Sequence, residues 1–418
     1  MSKGNAKARS GLIAALDIGT TKCCCFVARP QADRSPRVVG IGHQESRGLR
    51  NGVIVDMEAA EATIINTIHA AEQMAGETVR QVVVNISGGK PASHSIASEV
   101  ALSSHEVEDV DVRRALAQGR AQFAPNGREM VHFIPLGYTI DGNRGIRDPR
   151  GMFGEKLGVD MHVITAEAGP IRNIATCVGR AHLDVEAFVV SPYAAGLAAL
   201  VEDEMDLGVT LIDMGGGTTG VSVFYDGSVV YTDTIPVGGA HVTNDIARGL
   251  STPVNHAERL KTLYGSCMAS ATDEREIIDV PPIGEDPLTN PHHVPKSLLI
   301  GIIQPRIEEI FELVRSRLDA SGFDRVAGRR VVLTGGASQL QGAREMAALA
   351  LDKQVRIGRP TGVMGLAEAT SGPAFATCAG LLIYAGREQG GHAYQSLETF
   401  DQSAGFLSRV GTWLREHM

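Results

Sequence analysis

LIDMGGGTTGVSVFY, Leu211 to Tyr225, runs from an apolar β-rich segment through an aspartate and a Gly/Thr turn into a second β-rich segment. Two such runs joined by a tight turn read as a hairpin. The same order recurs about half the chain earlier in LIAALDIGTTKCCCFVA, from Leu12, where Asp17 stands in the place of Asp213. One turn of this kind is weak evidence, because many hairpins carry Asp and Gly. Two matched copies at that spacing point to a chain of two related halves.

The chemistry follows from the residue types. Gly19, Gly215, Gly216 and Gly217 have no Cβ, so backbone N–H groups there can come close to phosphate oxygens. The hydroxyls of Thr20, Thr21, Thr218 and Thr219 can donate to the same oxygens. Asp17 and Asp213, at the strand ends, could face each other across a cleft and hold a hydrated Mg2+ through its waters. Lys22 either reaches the phosphates or projects into solvent. A third turn lies in RRVVLTGGASQLQG, from Arg329: a buried strand, then Gly335, Gly336 and Ala337, then a helix start at Ser338, suited to the adenosine side of a nucleotide. PVGGAHVTNDIARGL, from Pro236, puts Gly238 and Gly239 before a helix. In the helix after that, Glu258 and Lys261 share a face, either to reach a ribose or base or as a solvated ion pair.

The rest of the chain bounds these readings. At 418 residues with 43% hydrophobic and 21% charged residues, it is an ordinary globular composition long enough for two or more domains. Few aromatics and 48 glycines favour an α/β build with tight turns. A net charge of −9 argues against a general nucleic-acid binder, which needs a basic surface. The six cysteines are too few for a disulfide scaffold, and Cys23, Cys24 and Cys25 alternate across a strand, so they read as small buried residues. The N-terminus has no apolar segment of a secretory signal. The longest apolar runs, Ala187–Val201 and Pro373–Ala385, fall short of the roughly 20 residues of a membrane span.

Together these pieces resemble the actin/Hsp70/sugar-kinase superfamily, whose two phosphate loops and adenosine motif are similar to LDIGTT, LIDMGGGTT and VVLTGGAS. The connecting helices of that superfamily resemble SPYAAGLAAL, from Ser191, and GPAFATCAGLLIYA, from Gly372. Within it, HFIPLGYTIDGNRGIRDPRGMFGEKLGVDMHVITA, His132 to Ala166, resembles the FtsA family of bacterial cell division proteins, as does GHQESRGLRNGVIVD near the start. The resemblance implies an actin-like, two-lobed α/β fold with a duplicated ATPase core and ATP with Mg2+ as ligands. It implies subdomain 1A at 11–87, 164–203 and 370–387, and subdomain 2A at 204–242 and 300–369. Subdomain 2B falls at 243–299, and an inserted small α+β subdomain, 1C, at 88–163. Read on its residues alone, the insert shows strand-like alternation in HSIASEVALS, one helix in VDVRRALAQGRAQF and a Gly/Asp/Pro-rich loop at 141–151. It is a contact surface more than a catalytic part.

The same resemblance implies a polymer that tethers the tubulin-like protein FtsZ, whose tail docks on 2B, with self-association and later division partners through 1C. Where hydrolytic relatives place a glutamate before the proline of the first connecting helix, this chain has Ser191, a poor base. ATP binding with at most slow hydrolysis is expected. An enzyme of the same fold, a small-molecule kinase or chaperone-like ATPase, and a pilus-assembly relative are the alternatives.

The last segment is separate in character. Residues 388–404 lack periodicity and read as a flexible linker. From 405 to 418 the period returns: Phe406, Leu407, Val410, Trp413 and Leu414 fall in one arc of about 120°, with Arg409, Thr412, Arg415 and Glu416 opposite. Trp413 is the only tryptophan of the chain. A segment this short cannot span a bilayer, and its pattern is that of an interfacial helix contacting lipid. Docking on the chain's own core is the plainer alternative. FtsA proteins end in such a helix, and the resemblance implies a peripheral place at the cytoplasmic face of the inner membrane, at the septum.

Overall fold

A computed structural model describes residues 11–31, 35–123, 126–284 and 291–389. The candidate lipid-contacting residues Phe406, Leu407, Val410, Trp413 and Leu414 lie outside them.

The two halves that the turns announce are two five-stranded sheets of one topology. In the first, strand Ile13–Ile18 pairs antiparallel with Lys22–Pro30, which pairs antiparallel with Pro36–Glu45. On its other side Ile13–Ile18 runs parallel to Gln81–Ile86, and that strand parallel to Asp184–Val190. In the second sheet Val209–Met214 takes the central place, with Thr219–Tyr225 and Ser228–Ile235 antiparallel on one side and Arg330–Thr334 and Gln354–Ile357 parallel on the other. The hairpin registers match: Asp17 is opposite Cys24 and Asp213 opposite Gly220.

Both sheets are buried on both faces, which is why their strands are apolar nearly throughout. The period-2 alternation of side chains sorts the cysteine run. Cys24 joins the core facing the hinge helices, and Cys23 and Cys25 face helices Met57–Ala75 and Ala168–Arg180 outside. Between the sheets lie the two connecting helices, Ser191–Ala199 and Ala376–Gln389. Ala194 and Ala198 of the first pack with Cys378, Ala379 and Leu382 of the second against the first sheet, while Ala195 and Ala199 face Leu211 and Phe224 of the second sheet. Small residues at these positions let helix and sheet backbones approach closely. The outer face of the second sheet carries the largest core, built with helices Gly239–Gly249, Val254–Tyr264, Lys296–Ser321 and Ala343–Leu351.

Residues 92–167 add an antiparallel four-stranded sheet with helix Asp109–Ala121 on one face. The stretch expected as an irregular loop at 141–151 instead holds a strand, Asn143–Ile146, paired to Arg128–Ile140. Asp141 and Gly142 both take positive φ, 49° and 83°, making a two-residue hairpin turn of the Asp-Gly kind. The insert also reaches the second half. Ser93 Oγ accepts from Thr232 N–H at 2.7 Å, and His162 Nδ1 lies 2.9 Å from the Val229 carbonyl. His132 Nε2 accepts from Val190 N–H at 3.2 Å, and its ring packs edge-on to Tyr193 of the first hinge helix. Burial lowers His132 to about 3 and His162 to about 4, so both are held as neutral imidazoles.

Candidate functional site

Each hairpin turn is closed by the same backbone bond: Gly19 N–H donates to Lys22 O at 3.0 Å, and Gly215 N–H to Thr218 O at 2.9 Å. The folding of the halves on the hinge helices then sets the two turns face to face. A Cβ on Gly216 would stand 2.5 Å from Thr21 Cγ2, and one on Gly217 would stand 2.3 Å from Thr20 Oγ1. At either position a larger residue would have to displace the facing threonine, and at Gly217 also the Asn51 backbone, whose Cα would lie 2.9 Å away. Thr20 Oγ1 also accepts from Gly52 N–H at 3.0 Å. Thr218 is buried in the turn, whereas Thr219 lies in the strand and spends its hydroxyl on the Val237 carbonyl at 2.8 Å.

The other glycine turns converge on the second hairpin. Gly239 N–H donates to Gly215 O at 2.9 Å and Ala240 N–H to Gly216 O at 2.7 Å, which fixes the start of helix Gly239–Gly249 beside the turn. A Cβ on Gly335 would meet Asp213 Oδ1 at 2.5 Å, and Ala337 Cβ would lie 3.0 Å from one on Gly239. After the third turn the chain makes a 3-10 turn, Gly336–Gln339, not the α-helix expected from Ser338. Leu340 is extended and Gly342 left-handed, and the helix starts at Ala343. Lys261 Nζ reaches Glu258 at 2.7 Å, Thr243 Oγ1 at 2.8 Å and Gly239 O at 3.1 Å. The pair is therefore tied to the Gly238–Gly239 turn and is more than a solvated ion pair.

At the centre are two carboxylates. Burial pushes Asp17 up to about 7, with Lys22 opposing and the Asp213 charge adding to the rise. Asp213 is also raised by burial, against a hydrogen bond from Thr377 Oγ1 at 3.0 Å and the charge of Lys22. Lys22 projects neither to solvent nor to open cleft: its ammonium donates to the Ala374 carbonyl and sits 3.4 Å over the centroid of the Phe375 ring. Asn85, a further polar residue at this centre, is not among the sequence candidates. Asn85 Oδ1 accepts from Ile18 N–H at 2.7 Å, and its amide donates to Ser191 Oγ at 3.1 Å. The signal was present, a polar residue ending the apolar run VVVNI as Asp17 ends its own.

Chemically, the site gathers turn N–H groups, hydroxyls and helix starts suited to phosphate oxygens, around two carboxylates whose ionised forms burial disfavours. Among the described residues no three acidic, cysteine or histidine side chains form a metal-binding group. A divalent cation here would draw its ligands from Asp17, Asp213, waters and phosphate oxygens, the shell Mg2+ prefers. No helix of the described residues is long and apolar enough to cross a membrane.

With this geometry in hand, comparison with known proteins is informative. A family model described as cell division protein FtsA matches residues 210–380, and one described as an SHS2 domain inserted in FtsA matches residues 88–165. The cell division protein FtsA of Rhizobium meliloti (strain 1021) is 48% identical over 427 residues, which span 98% of this chain and 95% of that protein. Among solved structures, a chain of the PilM-PilN type IV pilus biogenesis complex superposes with a TM-score of 0.62 at 17% identity, over 90% of this chain and 98% of that one. MreB5 of Spiroplasma citri bound to ADP superposes with a TM-score of 0.54 at 14% identity, over 93% and 98%. At such identities these structures share the fold, an actin-like α/β architecture.

Proposed function

As this chain belongs to the FtsA family of cell division proteins, we propose that it binds Mg-ATP between its halves, polymerises, and holds FtsZ at the cytoplasmic face of the inner membrane. The observation that carries the nucleotide part is the facing of two matched turns, with Asp17 buried and Asp213 half-buried beside them and one ammonium, Lys22, acting on both. Phosphates with a divalent cation would enter between the turns and restore a charge balance that burial now opposes. Gly19, Thr20, Thr21, Gly215, Gly216, Gly217 and Thr218 would face phosphate, and Lys22, held by Ala374 O and the Phe375 ring, would have to leave them to reach it. Gly238, Gly239, Glu258, Lys261, Gly335, Gly336 and Ala337 would face the nucleoside side.

ATP serves in this reading as a clamp. Ser191, buried and engaged by Asn85, offers no charged base to orient an attacking water, which favours slow hydrolysis and a mainly non-catalytic role. The insert, 88–163, would supply contacts to further copies and to later division proteins, subdomain 2B (243–299) the FtsZ dock, and residues 405–418 the lipid contact. Liposome co-pelleting of the full chain and of a chain ending at 404, with and without Mg-ATP, tests the assembly. The full chain is expected to pellet with lipid and the shortened one to stay in solution. Equal pelleting would remove the lipid role of the tail, and turnover of several ATP per second would favour an enzyme.

A further inference from the structure

Three residues of the stretch Pro373–Thr377, which runs from a 3-10 turn into the second hinge helix, bond to groups in or beside all three turns of the site. Pro373 O accepts from Gly335 N–H of the third turn at 3.2 Å and from Thr334 Oγ1 at 3.3 Å. Ala374 O accepts from Lys22, at the end of the first turn. Thr377 Oγ1 donates to Asp213, before the second turn. The ring of Phe375, under the Lys22 ammonium, stacks on Phe26 of the first sheet at 6.1 Å between centroids.

We infer that Pro373–Thr377 is the coupler of the molecule, with Lys22 and Thr377 as its positioning residues: they convert the nucleotide state of the cleft into the position of helix Ala376–Gln389. The inference rests on the nucleotide reading above and adds to it a route. Lys22 has one ammonium for a backbone carbonyl, a ring face and whatever anion enters the cleft, so a phosphate that attracts it changes what holds Ala374. Thr377 shares Asp213 with any cation that Asp213 helps to hold. One change acts on the first turn of helix Ala376–Gln389 and the other on the 3-10 turn Pro373–Phe375 that runs straight into it; the helix is a rigid element whose 14 residues span about 21 Å. In sequence that helix precedes the stretch read as a linker, 388–404, and then the segment proposed to meet lipid, 405–418.

Hydrogen exchange of the full chain, apo and with saturating Mg-ATP, tests this. In the parent protein nucleotide is expected to slow the amides of residues 376–387 by about 10-fold. In K22M/T377V, each state measured at a nucleotide concentration that saturates the variant, the slowing should fall below about 2-fold while the amides of 18–22 and 214–219 stay protected. K22R/T377S, which keeps an ammonium-like donor and the hydroxyl, should restore most of the helix response. Each single variant is read in the same way if the double variant does not fold. Full helix protection in K22M or T377V overturns the inference, as does a parent protein whose turns become protected and whose helix does not. A parent protein in which nothing responds to nucleotide overturns the nucleotide reading itself, and this inference with it.

Discussion

At Asp17 burial raises the carboxyl from an ordinary 3.8 to about 7, more than the Lys22 charge recovers. In the unfolded chain this group loses its proton near 3.8; in the folded protein it keeps it to about 7. Between those values the folded state binds more protons than the unfolded one, so stability falls as pH rises through the window, and the whole cost is present above about 7. At about 1.4 kcal/mol per unit, that cost is on the order of 4 kcal/mol. Asp17→Asn should therefore melt higher than the parent at pH 8 without ligand, with the gain shrinking toward pH 4, while losing Mg-dependent nucleotide binding. Melts across that range check it: a variant less stable than the parent at pH 8 would contradict the burial argument. Asp17 and Asp213 could be read from the sequence because a carboxylate ending an apolar strand has few structural reasons to be there. Thr377 and the direction of Lys22 could not, since their partners lie 164 and 352 residues away. Only the folded register brings them together.

Where the two hinge helices cross, the same small residue has a different value from elsewhere in the fold. A Cβ on Gly380 would stand 1.7 Å from the Ala194 carbonyl oxygen, backbone that cannot step aside. A Cβ on Gly301, in helix Lys296–Ser321, meets nothing within 4 Å. Alanine in place of glycine gains about 1 kcal/mol in either helix by propensity. At Gly380 forced separation of the helices should cost about 3 kcal/mol, so steric cost wins. Gly380→Ala is expected to destabilise by about 2 kcal/mol and Gly301→Ala to stabilise by about 0.5–1 kcal/mol; denaturant unfolding of both reads the opposite signs, and equal signs would refute the crossing as a tight contact. The helices themselves were legible as apolar runs too short for a membrane. The strand Asn143–Ile146 was passed over because Gly, Asp and Pro density marks loops in general. The narrower signal lay in the Asp141–Gly142 pair, whose positive φ values close a hairpin. Duplicated sheets were legible because two strand–turn–strand copies repeat in sequence. The insert's hold on the second half was not, because Ser93 and His162 bond to backbone carbonyl and N–H groups that no side-chain pattern reports.

For the molecule as a whole, the proposed function implies an energetic link between the cleft and the far end of the chain. Five apolar side chains on the face of 405–418 would yield about 8–15 kcal/mol on entering lipid. Ordering about 13 residues at about 1 kcal/mol or more each cancels most of that. Arg409 and Arg415 add little, with Glu416 beside them. A single tail is then a marginal anchor, and firm attachment needs several tails held on one assembly, where each further contact is intramolecular. Under the proposed function, whatever controls assembly controls attachment, and the proposed nucleotide cleft, lined by turns from both halves, would be the part able to do so. Bound protein measured against total protein on anionic vesicles should consequently rise more steeply than a hyperbola in Mg-ATP. Without nucleotide it should revert to a weak, hyperbolic isotherm, and Gly216→Val, which wedges the turns apart, should behave like the nucleotide-free protein even in Mg-ATP. Hyperbolic binding of the same strength in every case would mean that one tail suffices, and the energetic link between cleft and membrane would fall.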